Sequence, residues 1–222
     1  MSELPIRQAA TLIVLRDGSR GLETLLLRRS DNLVFASGAW VFPGGRVDDA
    51  DCVQANGVPE HAARLAAVRE TQEEAAVQVD SEALVYFAHW TTPVGAPKRY
   101  ATWFFASVVQ PATAVTVDGS EIDSFRWIAP ADALRAHQKG ELPMMPPTFI
   151  TLQQLAQSRT AAQALDAFAA RQPEVYEPKM IVCDDEVCFL YPGDSGYVAE
   201  IVDAPEPHHR FWMGQNSRYI RS

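Results

Sequence analysis

Residues 65–77, LAAVRETQEEAAV, place Arg69, Glu70, Glu73 and Glu74 within two turns of a segment with helical spacing. Acids three and four residues apart on a helix are neighbours, with Cβ atoms roughly 5–6 Å apart. Like charges held that close repel, so either the face is an ordinary solvated one or something positive sits against it. Hard divalent cations such as Mg²⁺ take oxygen ligands, commonly carboxylates together with substrate phosphates and water. Upstream, Gly44 and Gly45 close a short apolar stretch, and paired glycines permit a tight backbone path with close approach to a ligand. The glycine pair, the arginine and the three acids together favour a cation-assisted anion site over a solvated face. Glu70, Glu73 and Glu74 are its candidate metal ligands.

A second set of residues is placed to meet the anion. Lys98 and Arg99, in PVGAPKRY, form a local basic pair against a formal net charge of −9 and are the leading candidates for contacting phosphate. Arg28 and Arg29 close an apolar run just before the glycines, and one of them, Arg28 by preference, is expected to reach the site. His61, His89 and His137 stand alone and are expected in structural or surface roles, while His208 and His209 lie in a polar tail segment. Trp90 and Phe35 are the aromatic side chains with a claim to stack on a base; the others read as core. Cys183 and Cys188 flank DDEV and could face each other across a hairpin, but no second Cys or His pair stands nearby to complete a zinc site.

The elements that must position these residues can be read in order. Apolar runs at 9–17 and 23–29, separated by GSRG, predict a hairpin; 39–45 predicts a short strand stopped by Pro43 and the glycines. Residues 46–59 lack periodicity and read as loop. Pro59 sits just before a helix expected to run from Glu60 to about Val77. Strands follow at 83–92, 99–109 and 124–130, then a short helix at 131–140 and two more helices. The pair 179–185 and 186–194 reads as a hairpin, and LPMMPP (142–147) as the seam between a core and a C-terminal extension.

With 222 residues and 47% hydrophobic content, the chain can bury a substantial core. The net charge of −9 argues against broad nucleic-acid or anionic-membrane binding. No apolar run approaches the 18 or so residues of a membrane span, and the N-terminal apolar run reads as a strand rather than a secretion signal. Three cysteines, an odd count, suit a reducing compartment. The expected setting is cytoplasmic, with neither nucleic-acid nor membrane partners.

GGRVDDAD followed by RETQEEAAV resembles the Nudix box, whose pattern is Gly, five residues, Glu, seven residues, then Arg-Glu-U-x-Glu-Glu-x-Gly-U, with U a large aliphatic residue. With Gly45 as the first glycine, Asp51 stands at the position of the first Glu, and Arg69, Glu70, Glu73, Glu74 and Val77 match. Asp51 is a shorter carboxylate, Thr71 replaces an aliphatic residue, and Ala76 replaces the final Gly. Residues 52–68 make 17 intervening positions, ten more than the pattern. A left-handed backbone at Ala76 would cost roughly 1–2 kcal/mol, so the helix is expected to end differently or run slightly further. Beyond the box, LLLRRSDNLVFASGAWVFPGG, HWTTPVGAPKRYATWFF and YPGDSGY resemble a branch of the family that includes a coenzyme A diphosphatase.

The resemblance implies an α/β fold, the Nudix α/β/α sandwich with a mixed β-sheet, as a core over 1–143 with a helical and β-hairpin extension over 144–222. It implies hydrolysis of a diphosphate linkage with Mg²⁺ or Mn²⁺ held by Glu70, Glu73 and Glu74. Arg69 would hold a glutamate by a bidentate ion pair, and Gly44 and Gly45 would shape the backbone beside the phosphates. Asp51 would act behind them. A base outside the box is common in such enzymes, and Glu121, with Asp123 behind it, is the candidate. Coenzyme A or acyl-CoA is the leading substrate. Alternatives are ADP-ribose, a nucleotide sugar or a dinucleotide, and a domain that binds nucleotide without hydrolysing it. Homodimers are frequent among the enzymes it resembles.

Overall fold

The alternation of side chains along the first strand divides the core in two. A computed structural model of the chain describes residues 5–32, 37–183, 186–214 and 216–222. Its first half runs β1 (Ile6–Gly18), β2 (Gly21–Arg29), β3 (Trp40–Val41), β4 (Gly44–Arg46), α1 (Asp49–Gln54) and α2 (Pro59–Ala75). Then come β5 (Val85–Thr91), β6 (Arg99–Val108), β7 (Ile122–Ile128), α3 (Pro130–Gln138), α4 (Pro146–Leu155) and α5 (Ala161–Ala169). The chain closes with β8 (Glu174–Tyr176), β9 (Lys179–Cys183), β10 (Glu186–Leu190), β11 (His209–Met213) and β12 (Arg218–Arg221).

Eight of these strands form a mixed sheet in the order β3-β2-β1-β6-β5-β8, with β4 paired to β1 and β7 to β2. β1 lies parallel to β6 and antiparallel to β2 and β4. Successive strand residues point to opposite faces. Ala10, Leu12 and Val14 therefore join Leu25, Leu27 and the alanines of α2 on one face. Ile13, Leu15 and Leu26 pack on the other with Ala133 of α3, Phe149 of α4 and Phe168 of α5. The result is the helix–sheet–helix sandwich with a mixed sheet that the sequence implied.

The segment after α5 is tied to this second face. β8 pairs in parallel with β5 at the sheet edge. The remaining strands make a second sheet, ordered β12-β11-β10-β9, whose Phe189 and Phe211 are buried in the same cluster as Trp90 and Phe149. Asp194 pins the loop before β11: it accepts from the backbone N–H of Gly196 and His209 and from Arg210 at 2.7 Å.

Several local expectations are corrected. Residues 46–59 are not all loop, because Asp48 and Asp51 form a reciprocal capping box that starts α1. The strand expected at 39–45 is broken into β3 and β4 around Pro43, which carries no N–H for a ladder. α2 stops at Ala75, and Ala76 itself takes the left-handed conformation, φ 56° and ψ 24°. His209 is no tail residue: it opens β11, is buried, and its Nδ1 lies 2.7 Å from the Pro192 carbonyl. Cys183 is paired with Glu186 and Cys188 with Ile181, so the two thiols do not face across the ladder. Phe35 lies outside the described residues. Among the described residues no helix is long and apolar enough to cross a membrane.

Candidate active site

The side of α2 that meets the sheet is made of Ala63, Ala66, Ala67 and Ala75, all buried. Small side chains let the helix lie close to β1 and β4. Thr71, at the aliphatic position of the box, is tolerated in this buried face because its hydroxyl donates to the Ala67 carbonyl at 2.7 Å. The glycines complete the approach. A Cβ on Gly44 would lie 2.4 Å from the Ala10 carbonyl oxygen, and one on Gly45 only 2.3–2.5 Å from the Glu70 carboxylate.

This contact fixes the acids. The Gly44 N–H donates to Glu74 Oε2 at 2.9 Å, and Glu74 is 7% exposed. Burial pushes the Glu74 carboxyl up to about 8; the Gly44 hydrogen bond opposes this, and the charges of Glu70 and Glu121 add to it. Burial also raises Glu70, against the hydrogen bond and charge of Arg69, with Glu73 and Asp48 reinforcing the rise.

Arg69 is the bracket of the site. It grips Asp51 by two bonds, Nη2 to Oδ2 at 3.0 Å and Nε to Oδ1 at 3.4 Å, and donates to the Arg46 carbonyl at 2.9 Å. Nη1 reaches Glu70 at 2.8 Å and Glu73 at 3.3 Å. The two-pronged pair expected with a glutamate is made instead with Asp51, a buried residue brought under Arg69 by the start of α1. Each of the two glutamates takes one contact.

A cavity of about 610 Å³ gathers Gly44, Gly45, Glu70, Glu74, Glu121 and Lys98. Arg29, Arg46 and Asp48 are also on its wall. Glu121 is set there by Asp118, whose carboxylate accepts from the backbone N–H of Ser120, Glu121 and Ile122. Glu73 is on the outer side of α2, with 59% of its side chain exposed, and does not line this cavity.

Two expected cations lie elsewhere. Arg28 is on the opposite side of β2 from Arg29, paired with Asp31 at 2.9 Å and with Asp123. Strand alternation decides this: Leu25 and Leu27 face α2, so Arg29 follows them and Arg28 does not. Arg99 is 9% exposed and donates to the Thr92 carbonyl at 3.3 Å, beneath the loop whose exposed Lys98 is on the wall. Asp48 and Arg46 were not singled out by sequence, and Arg29 was named only as the alternative to Arg28. The alternation of β2 was the available signal for Arg29; Asp48 carried none beyond its place in the box.

Among the described residues no three Asp, Glu, His or Cys side chains converge closely enough to enclose a metal by themselves. The donor set still fits a hard divalent ion. Glu70 and Glu74 are both desolvated carboxylates, and the charge of Glu70 adds to the rise of Glu74, a deficit of positive charge that such an ion fills. Mg²⁺ characteristically keeps several waters and takes only one or two carboxylates plus phosphate oxygens.

The NUDIX domain family model matches residues 6–147. Nudix hydrolase 7 of Caenorhabditis elegans is 23% identical, over 92% of this chain and 84% of that protein. The Xenopus laevis acyl-coenzyme A diphosphatase NUDT19 is 29% identical over 52% of this chain, a match spanning 32% of the frog protein. A crystal structure of a NUDIX hydrolase from Alicyclobacillus acidocaldarius superposes with a TM-score of 0.68 at 26% identity, covering 77% of this chain and all of the other.

Proposed function

The chain belongs to the Nudix family, as a pyrophosphohydrolase acting on a diphosphate substrate, and we propose that this substrate is coenzyme A or acyl-coenzyme A. The products are 4′-phosphopantetheine, free or acylated, and adenosine 3′,5′-bisphosphate. One observation carries the reading: a single cavity collects the acids Glu70, Glu74 and Glu121 with the cations Arg29 and Lys98. The choice of coenzyme A is supported by the likeness to the frog acyl-coenzyme A diphosphatase. Residues 1–143 would form the catalytic core and 144–222 its extension.

In the proposed reaction water attacks one phosphorus while its bond to the bridging oxygen breaks. The water oxygen ends on one phosphate and the bridging oxygen on the other, with the protons passing to a base and then to solvent. Glu70 and Glu74 would hold Mg²⁺ or Mn²⁺, with Glu73 at the rim. A bound ion of this kind offsets phosphate charge and lowers the pKa of a coordinated water. Glu121, exposed on the wall, would take the proton. Arg29 and Lys98 would neutralise non-bridging oxygens, and the Gly44–Gly45 backbone would border the phosphates. Arg69 is a positioning residue that holds Glu70 against Gly45.

Turnover of a panel of diphosphates with Mg²⁺ or Mn²⁺ tests this. Release of adenosine 3′,5′-bisphosphate from coenzyme A or an acyl derivative is expected. Hydrolysis of ADP-ribose, a nucleotide sugar or a dinucleotide with none from coenzyme A would overturn the substrate. Tight binding without turnover would overturn the chemistry assigned to these acids.

A further inference from the structure

Beside the carboxylate cavity lies a second chamber of about 520 Å³ that the diphosphate chemistry does not use. The two share Thr11, Arg29, Gly44, Tyr100 and Thr102 as wall residues, so a ligand anchored by phosphate in one can extend into the other. Among the described residues Arg29 is the chamber's one charged wall residue, and it stands on this shared border.

The wall chemistry selects what enters. Pro93, Pro97, Pro146, Pro147 and Pro178 line it. Proline has no backbone N–H, so these stretches of wall offer no main-chain donor. Trp90, Phe104, Phe189 and Tyr191 add apolar surface, and one face of Trp90 is already covered by Tyr176, stacked at 3.8 Å. An adenine here would leave ring nitrogens and an amino group short of partners, which is costly.

Three of the chain's five methionines, Met145, Met180 and Met213, complete the wall. Methionine is unbranched and adaptable, suited to contact with flexible chains of varying length. Met145 is 36% and Met180 47% exposed, so both present apolar surface at the chamber's outer side.

Building on the coenzyme A reading, we propose that this chamber takes the acyl arm of an acyl-coenzyme A, and that the C-terminal sheet sets chain-length preference. Pro178, Met180, Phe189, Tyr191 and Met213 all come from the segment after α5. The extension is thus a wall of the substrate site, and removing polar surface from its path selects an acylated substrate over the free thiol. A chamber of this size is in the ordinary range for ligand pockets.

The test compares kcat/KM for coenzyme A, hexanoyl-CoA and dodecanoyl-CoA in the intact protein and in Met180→Glu and Met145→Glu. Both residues are partly exposed, so each variant is expected to fold, and either one suffices. Wild type should gain about fourfold in kcat/KM per buried methylene until the chamber fills. Each variant should lower the ratio of dodecanoyl-CoA to coenzyme A at least tenfold. A ratio that ignores chain length, or that neither variant changes, overturns the proposal. Weaker competition by adenosine 3′,5′-bisphosphate in the variants would put the nucleotide in the chamber and overturn it equally. If no coenzyme A derivative is hydrolysed, the functional reading fails and the chamber is judged separately by calorimetry with dodecanoyl-pantetheine, which has no phosphate. Binding to wild type that Met180→Glu weakens supports the chamber; no binding to wild type ends the inference.

Discussion

The backbone N–H of Gly44 points at the carboxylate of Glu74, 2.9 Å away, and links the strand that carries the glycines to the helix that carries the acids. Glutamine at position 74 keeps an acceptor for that N–H and removes the ionisable oxygen. Glu74→Gln should therefore leave the thermal midpoint unchanged or raise it, because a buried carboxyl is replaced by a neutral amide. Turnover should fall by a factor on the order of 10²–10³, the range seen when one electrostatic stabiliser of the transition state is lost, since Glu74 is assigned to hold the metal rather than to take the proton. Steady-state kinetics alongside a thermal melt separate the two effects.

Gly45 tests the same junction from the other side. A methyl group there would occupy the place of the Glu70 carboxylate, which Arg69 holds at 2.8 Å. Gly45→Ala should displace that carboxylate and lower kcat roughly 100-fold, the scale of a 1 Å misplacement. Circular dichroism should be unchanged.

Arg28 and Arg29 are neighbours in sequence with different surroundings. Arg29→Met should weaken substrate binding about tenfold, the scale of one charge-assisted hydrogen bond, seen as a higher KM. Arg28→Met removes contacts to Asp31 and Asp123 outside the cavity and should leave KM within about twofold.

Much of this was legible in the residues. The acids of α2 and the paired glycines announced themselves through spacing, because helical neighbours and a side-chain-free backbone are local properties. Which of two adjacent arginines enters the cavity depends on strand phase, and Leu25 and Leu27 would have supplied it. Arg99 was misread because a basic pair looks equally exposed in sequence, whereas Arg99 starts β6 under its own loop. α1 was hidden because its signal is a capping box of two aspartates, Asp48 and Asp51, rather than apolar periodicity. β11 and β12 are short, and β11 is secured by Asp194, 15 residues before His209, a partnership no local window contains.

Ala76 stands where a glycine is expected, and the chain accepts the strain, with φ 56°. Ala76→Gly should raise the unfolding free energy by about 1 kcal/mol, since glycine adopts this conformation without a Cβ penalty. Urea unfolding should show a higher midpoint at the same slope.

Asp118 holds the loop that presents Glu121. Its partial burial opposes ionisation, but bonds from the Ser120 hydroxyl and from the N–H groups of Glu121, Ile122 and Ser120 prevail, and the carboxyl sits at about 2. A folded pKa below the ordinary 3.8 contributes stability that is full above 3.8 and disappears as pH falls toward 2. Asp118→Asn should flatten the acid loss of stability over that interval, read from thermal midpoints between pH 5 and about 2.

The ten residues by which this chain exceeds the usual spacing lie between Asp51 and Arg69, and those two side chains grip each other at 3.0 Å. Both ends of the excess are thereby stapled beside the chemistry, while its outer bend at Asn56 and Gly57 is exposed and a Cβ on Gly57 would touch nothing within 4 Å. Extra length at that bend lies outside the Arg69–Asp51 contact, where added loop residues cost little chain entropy. A reporter peptide or a fluorescent domain spliced between Asn56 and Gly57 would ride outside the staple, giving an enzyme that can be tagged in mid-chain and still turn over.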